Sequence, residues 1–234
     1  MTSKNPKRHT LISSPFYRLS SKKRLAELLF TSPESINNTL KLSPLYKRKW
    51  KSKKKDDCWL NTEPTPDIAD DYRPIDIPHP ILKTYQSRIA NLLGRILPPD
   101  YLFSPVRGRS YVDNAIQHID SNAFWMLDIA NYFPSCTANN VAWFFGKIMK
   151  CSPDVTAILV KITTHNGSLP QGSPCSPILA YYSNLNMWED ISKLAENYDC
   201  LISVYADDIT LSAKKYVPKK LVWQIKQRID LLRK

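Results

Sequence analysis

Two adjacent carboxylates between short runs of β-forming residues constrain this chain more than any other feature. Asp207 and Asp208 stand between residues 201–205 and residues 209–211, which are mostly aliphatic or aromatic. The alternation in these runs predicts a tight hairpin with the two acids at its tip. Carboxylates held side by side on rigid strands repel each other unless a cation neutralises them. The pair therefore indicates either a metal site or an ordinary solvated turn.

A third carboxylate, Asp128, interrupts the apolar run of residues 124–129. A buried charge without a partner is expensive, so Asp128 either has a partner or belongs to a site. If its strand neighbours the hairpin, three carboxylates converge on one sheet. Such a set can bind two divalent cations, which we expect to be Mg²⁺ with Mn²⁺ as a substitute. One cation would activate an attacking hydroxyl, and the other would hold a triphosphate.

The net charge of the chain is +12, which favours a polyanionic partner, although a basic surface alone would also account for it. Residues 47–55 concentrate seven cations around one tryptophan. This stretch is either a solvated charge run or a nucleic-acid contact in which cations hold phosphates and the ring stacks on a base. We favour the nucleic-acid contact, with the side chains of Lys47, Arg48, Lys49, Trp50, Lys51, Lys53, Lys54 and Lys55.

Two further segments offer ligand contacts. Arg73 lies in the proline-bounded extended segment 72–78, where it is either an ordinary strand cation or a phosphate contact. Residues 169–177 contain three prolines and the pair Gln171-Gly172. This loop is stiffened either for stability alone or to present an amide and bare backbone to a ligand.

Helical patterns dominate the rest of the chain. Ser21, Ser32 and Ser110 are predicted N-caps. Further helices are predicted over residues 80–97, 137–150, 153–164, 177–195 and 221–232. No apolar run approaches the ~18 residues of a membrane span, and the N-terminus lacks the apolar segment of a signal peptide. Five cysteines without a C-x-x-C pair predict reduced thiols, so we expect a cytoplasmic protein with no membrane partner.

The motifs together resemble those of reverse transcriptases. Residues 205–208, Tyr-Ala-Asp-Asp, resemble the signature of that family, and residues 124–135 resemble its first catalytic motif. Residues 169–177 are similar to its Leu-Pro-Gln-Gly-x-x-x-Ser-Pro motif. Residues 114–118 look like the Asn-Ala-x-x-His element of bacterial retron reverse transcriptases, to which the resemblance is strongest. It covers residues 72–213 well and the first 60 residues loosely.

The resemblance implies an α+β fold with the fingers and palm of a right-hand polymerase, the palm having a small antiparallel sheet backed by helices. The expected divisions are a basic helical or extended region (1–60), fingers (61–123), a palm with the catalytic acids (124–213) and the start of a C-terminal helical region (214–234). The family continues into a thumb that is not in this sequence. We therefore expect either a fragment or truncated form, or a chain completed by another polypeptide.

The resemblance also implies roles for individual residues. Asp128 and Asp207 would be the main metal ligands, with Asp208 as the third acid. Phe133 would exclude a ribose 2′-hydroxyl, and Gln171 would line the nucleotide pocket near the sugar. The remaining implied contacts are Arg73 and the backbone of Ala130, Asn131 and Tyr132 for the triphosphate, and Asn114 and His118 for RNA handling or local structure.

The implied function is that of a retron RNA-directed DNA polymerase. Such an enzyme uses dNTPs and a structured noncoding RNA to make a branched, RNA-linked single-stranded DNA (msDNA), with effector proteins in antiphage defence. The alternative is a nucleic-acid-binding scaffold with weak or absent catalysis that docks those effectors. Reverse transcriptases of group II intron-like or diversity-generating type share the three acids, but the short N-terminus and residues 114–118 argue against them.

Overall fold

The structure, a computed structural model, describes residues 7–230 and combines helices with two separate β-sheets, which confirms the predicted α+β class. The strands are β1 (Tyr46–Ser52), β2 (Trp59–Leu60), β3 (Tyr72–Pro78), β4 (Leu102–Ser104), β5 (Ala123–Asp128), β6 (Leu201–Tyr205) and β7 (Asp208–Ala213). The helices are α1 (Lys22–Leu28), α2 (Pro33–Leu40), α3 (Pro80–Leu93), α4 (Tyr111–Ile116), α5 (Tyr132–Ser135), α6 (Ala138–Trp143), α7 (Pro153–Thr163), α8 (Ser176–Tyr182), α9 (Leu185–Asn197) and α10 (Lys219–Asp230).

Serine hydroxyls begin the helices where the sequence predicts caps. Ser21, Ser32 and Ser110 accept hydrogen bonds from the backbone N–H groups three residues ahead, and Ser110 forms a reciprocal capping box with Asp113. Such caps satisfy N–H groups that have no partner inside the helix. The last two residues of the helix predicted over 221–232 lie outside the described residues. None of the helices within residues 7–230 combines the length and apolar character needed to cross a bilayer.

The prediction of one helix over residues 177–195 was wrong, because the chain breaks there into α8 and α9. Asn184 stands at the break and is almost fully buried. Its side-chain amide donates hydrogen bonds to the Ala180 carbonyl (2.9 Å) and to Cys136 Sγ (3.1 Å). A side chain that satisfies helix carbonyls in this way competes with continuation of the helix.

The four-stranded sheet has the strand order β4-β6-β7-β5. Strands β6, β7 and β5 are antiparallel as predicted, whereas β4 pairs parallel to β6, so the sheet is mixed. Its inner face is apolar and packs into the main core through fully buried side chains such as Val204, Ile209 and Leu211. The burial of this face fixes the register of all three antiparallel strands, since a slip by one residue would expose it.

The three-stranded sheet has the order β2-β1-β3 and is built on the long β1–β3 ladder, which runs from Tyr46↔Pro78 to Ser52↔Tyr72. The basic run of the sequence is therefore a strand for most of its length. Because β1 and β2 precede residue 61 and β1 pairs with both β2 and β3, the expected division at residue 60 falls inside one sheet.

The proline-rich loop before α8 lies directly against β3. The backbone N–H of Asp76 donates to the Gln171 carbonyl at 2.7 Å. Gly172 adopts a φ of +127°, and a Cβ added there would lie 2.7 Å from the Asp76 carbonyl oxygen. A side chain at this position has neither an accessible backbone conformation nor space, so glycine is required where the loop meets β3.

We expect Gly172→Ala to lower the free energy of unfolding by about 2–4 kcal/mol, because backbone strain and a steric clash act together. Gly167→Ala is the matched control: its φ is +81°, but no atom lies within 4 Å of the added Cβ. Strain alone should cost the control about 1 kcal/mol. Urea unfolding of both variants measures the difference, and equal losses would show that contact with β3 does not require this glycine.

Candidate active site

The predicted hairpin with acids at its tip is confirmed. Tyr205 pairs with Asp208, so Ala206 and Asp207 form a two-residue turn. Ala206 has a φ of +58°, a left-handed conformation that is uncommon for residues with a side chain. Two-residue hairpin turns favour positive φ because the turn then matches the twist of the strands. The tight turn leaves Asp207 at the end of the sheet.

Strand β5 brings Asp128 beside this tip. Asp128 is the direct cross-strand partner of Asp208, and the Ile129 N–H donates to the Asp207 carbonyl at 3.1 Å. Directly opposed residues have Cβ atoms about 4.5–5.5 Å apart and project from the same face. Leu127 and Ile209, their neighbours, project towards the core. The ladder thus collects the three predicted acids at one end of the sheet, with Asp128 and Asp208 on its outer face.

The carboxylates repel one another. Burial, followed by the charges of Asp207 and Asp128, raises the pKa of Asp208 above its ordinary value. The three side chains do not converge: within residues 7–230, no three carboxylate, imidazole or thiol groups lie close enough together to hold one metal ion. Three carboxylates are nonetheless the donors that a hard divalent cation prefers, and their backbones are already adjacent. The residues present therefore fit Mg²⁺ by donor chemistry and backbone placement.

The turn after Asp128 is exposed at Ala130 and Asn131 and buried at Tyr132. Asn131 has a left-handed φ of +55°. Tyr132 is buried, with its ring edge against Trp188. Its neighbour Phe133 is half-buried. The partly exposed Phe133 and the exposed residues Ala130 and Asn131 therefore remain available to a ligand beside the acids.

Arg73 lies on the strand that meets the Gln171 loop. Its cross-strand partner is Lys51, so both side chains project from the face that also carries Ile75. The Ile75 side chain lies next to Gly172, which shows that this face is turned towards the loop. The sequence did not predict the pairing of Lys51 with Arg73. Alternation along residues 47–51 could have revealed it, had the run been recognised as a strand.

The cations of residues 47–55 are divided between the two faces of β1 and the loop that follows it. Arg48 is committed to Asp76, to which Nε and Nη2 donate at 2.7 and 3.0 Å. Lys51 is 3.6 Å from Asp56, and Lys54 is 2.7 Å from Asp71. Lys47 and Lys49 share the face of Lys51, Trp50 is half-buried, and the loop residues Lys53 and Lys55 are exposed. The run is thus not one continuous contact surface.

His118 is buried against the outer face of the four-stranded sheet. Its Nδ1 and Nε2 lie 2.6 and 2.8 Å from the hydroxyls of Ser212 and Ser203. Burial lowers the pKa of His118, which favours the neutral ring. Asn114, one turn earlier, has a buried Oδ1 without a hydrogen-bond partner. This geometry favours a role in local structure for His118, which joins α4 to the sheet. The sequence could have identified the two serine partners, because strand alternation places them on the same face as Asp208 and Tyr205.

Comparisons with known proteins show which family the chain resembles. A family model described as "Reverse transcriptase (RNA-dependent DNA polymerase)" matches residues 52–230. The chain is 33% identical over 148 residues to the Retron Se72 reverse transcriptase of Salmonella heidelberg, covering 61% of this chain and 38% of the relative. It is 32% identical over 134 residues to the Retron Ec86 reverse transcriptase of Escherichia coli, covering 57% and 41%. The matched part thus spans about two fifths of the length of these relatives.

We expect Asp208→Asn to raise the melting temperature at pH 7 in the presence of a chelator, because it removes a charge that opposes folding. A raised pKa in the folded state means that the ionised form destabilises the fold, and this effect ends below about pH 4, where the group is protonated in both states. The difference in melting temperature should therefore vanish towards pH 3.

Added Mg²⁺ should stabilise the wild type more than the variant. Asp199→Asn, at the opposite end of the hairpin, is the control, and an equal response from it would contradict the assignment.

Proposed function

The chain belongs to the reverse transcriptase family, and on that premise we propose that it is an RNA-directed DNA polymerase of the retron type. The observation that carries the proposal is the register of β5 with β7, which sets Asp128 opposite Asp208 beside Asp207. Similarity to two retron reverse transcriptases supports the type. Synthesis of msDNA from a structured noncoding RNA, effector proteins and a role in antiphage defence rest on that resemblance alone.

In this proposal the four-stranded sheet is the palm and the three-stranded sheet belongs to the fingers. The palm then corresponds to residues 124–213, with β4 added at its edge. The fingers extend beyond residues 61–123, because β1 and β2 belong to the same sheet as β3. The contact between Asp76 and Gln171 supports a fixed relation between the two parts.

The chemistry proposed is transfer of a nucleotide to a primer hydroxyl. Two Mg²⁺ ions, for which Mn²⁺ substitutes, would supply Lewis acidity that favours the attacking alkoxide and the leaving pyrophosphate. Asp128, Asp207 and Asp208 would hold the two ions at the end of the sheet. Arg73 and Lys51 bind phosphate oxygens from the fingers side, where they are cross-strand partners. The backbone of Ala130 and Asn131, two exposed residues, contacts the triphosphate, as does that of Tyr132.

Selection of the sugar is proposed to rest on Phe133 and Gln171. Phe133 is half-buried against the core, so its ring has limited freedom to move away from a 2′-hydroxyl. Gln171 is held by its carbonyl against β3 while its side chain is partly exposed. A fixed ring discriminates by steric exclusion, and the amide can hydrogen-bond to the sugar.

We expect Asp207→Asn to reduce dNTP incorporation on a primed RNA template by more than about a hundredfold, since even outer-shell changes at metal sites cost 10–100-fold. Asp199→Asn is the matched control, because Asp199 is exposed in the turn at the other end of β6 and its φ of +51° suits asparagine. Primer extension measures both variants. Undiminished incorporation by Asp207→Asn would refute the polymerase assignment, and RNA binding without synthesis by the wild type would favour the scaffold alternative.

We expect Phe133→Ala to increase the use of ribonucleotides relative to deoxynucleotides by about tenfold or more, the scale of discrimination from one steric contact. Measurement of kcat/KM for dCTP and rCTP tests this. Because Phe133 also packs against the core, thermal unfolding must accompany the kinetics. An equal fall for both nucleotides would assign the residue to packing instead of sugar selection.

A further inference from the structure

A small cleft at the C-terminal end of α3 is lined by arginines. Its volume is about 270 Å³, and its lining includes Arg88, Asn91, Arg95, Pro105 and Arg107. A phosphate group would fit within that volume. The arginines come from separate parts of the chain: from α3, from the segment after it, and from the turn after β4. Sequence patterns did not single out this cluster, since no two of its arginines are adjacent.

The Arg88 guanidinium is held in place by a backbone carbonyl and an aromatic ring, and Arg107 lies in a hydrogen-bonded turn. Arg88 Nε donates to the Leu28 carbonyl at 2.8 Å, and its guanidinium carbon lies 4.1 Å from the centre of the Phe30 ring. Arg107 lies in a turn closed by the Arg109 N–H and the Val106 carbonyl. Its own carbonyl accepts from Arg8 Nη2 at 2.9 Å, which brings a fourth guanidinium to the cleft edge.

The cluster lacks the anions that would normally compensate it. No carboxylate lines the cleft, and none of its four arginines forms an ion pair within residues 7–230. The nearby carboxylate of Asp100 is paired instead with Arg109, at 3.6 Å. The C-terminal dipole of α3 favours cations, but that accounts for Arg95 alone because the effect is limited to the last turn. Guanidinium groups converge in this way where an external anion completes the site.

The shape of the surface favours a polymeric anion. The cleft is open, Arg95 and Arg107 are exposed, and the Phe30 ring beside Arg88 is 78% exposed. Guanidinium groups with one exposed aromatic ring beside them suit a strand that offers both phosphates and bases. A free phosphate or triphosphate would use the guanidinium groups but would leave the ring without a role.

The cleft lies near the end of the palm sheet that carries the acids. Strand β4 runs parallel to β6, and Ser104 pairs with Tyr205, so residues 105–109 continue from the same edge as Asp207. Two strand spacings, or about 10 Å, separate β4 from β7. A nucleic acid engaged at the active site could therefore extend across the sheet edge into the cleft.

We propose that this arginine cleft binds the phosphodiester backbone of RNA outside the catalytic site. The proposal rests on the proposed function only in taking RNA as the partner of the chain. Arg95 and Arg107 contact phosphates, while Arg88 and Phe30 form the wall on which a base stacks. The cleft holds RNA and takes no part in the chemistry at the acids.

The test compares the full 234-residue chain with Arg95→Gln/Arg107→Gln. The probes are a fluorescein-labelled 20-nucleotide single-stranded RNA and the DNA of the same sequence, measured by anisotropy without dNTPs or divalent metal. We expect the RNA dissociation constant to rise about tenfold at 0.1 M salt. The slope of log affinity against log salt should fall by about 1.4, as loss of two phosphate contacts to a single strand predicts.

Two further variants separate the cleft from general charge and from folding. Lys193→Gln/Lys226→Gln removes the same charge from exposed positions on α9 and α10 and should change RNA affinity less than twofold. Arg95→Lys/Arg107→Lys keeps the charge and should retain most of the salt slope while losing the bidentate contacts. Thermal unfolding establishes that each variant is folded.

Three results would overturn the proposal: unchanged RNA affinity in the glutamine variant, an equal loss in the Lys193/Lys226 control, or loss of DNA affinity alone. A separate titration with dNTP that shows weakened nucleotide binding in the glutamine variant, with RNA affinity intact, would instead identify a triphosphate site. The outcome is independent of polymerase activity, because binding is measured without substrate or metal. An Asp207→Asn chain that no longer extends a primer should still bind RNA and still respond to the Arg95/Arg107 change.

Discussion

The β5–β7–β6 ladder holds three carboxylates together against their mutual repulsion, and the proposed activity depends on that ladder. Backbone hydrogen bonds and the burial of Val204, Ile209 and Leu211 on the inner face supply the stabilisation. The repulsion appears as a raised pKa at Asp208. A cation bound among these acids would remove an existing electrostatic penalty.

Two contacts position the rest of the site around this ladder. His118 joins α4 to the outer face of the sheet through two serine hydroxyls, and Gly172 lets the proline-rich loop approach β3 closely. Both contacts lie in closely packed surroundings, where added volume or an unsatisfied polar group is costly. The strand that bears Arg73 is therefore placed by packing against this loop as well as by the ion pair of Arg48 with Asp76.

Some charges of the chain form ion pairs within the fold, and others remain available to a binding partner. In β1 the most conspicuous basic run supplies Arg48 to Asp76 inside the sheet, although the sequence suggested a nucleic-acid contact for every cation in it. The four arginines of the cleft at α3 are dispersed in the sequence, yet they converge without a carboxylate. Charge density along a sequence is thus a poor guide to charge available at a surface, because strand alternation and ion pairing redistribute it.

The sequence by itself determined the features that depend on neighbouring residues: the Asp207-Asp208 hairpin, the serine-capped helix starts and the α+β class. These follow from side-chain alternation and from backbone groups that need partners close in the chain. Tertiary structure alone decided the parallel pairing of β4, the break at Asn184, the pairing of Arg48 with Asp76 and the arginine cleft. Each joins residues far apart in sequence or depends on burial. Their energies arise only after the chain has folded, so no local pattern encodes them.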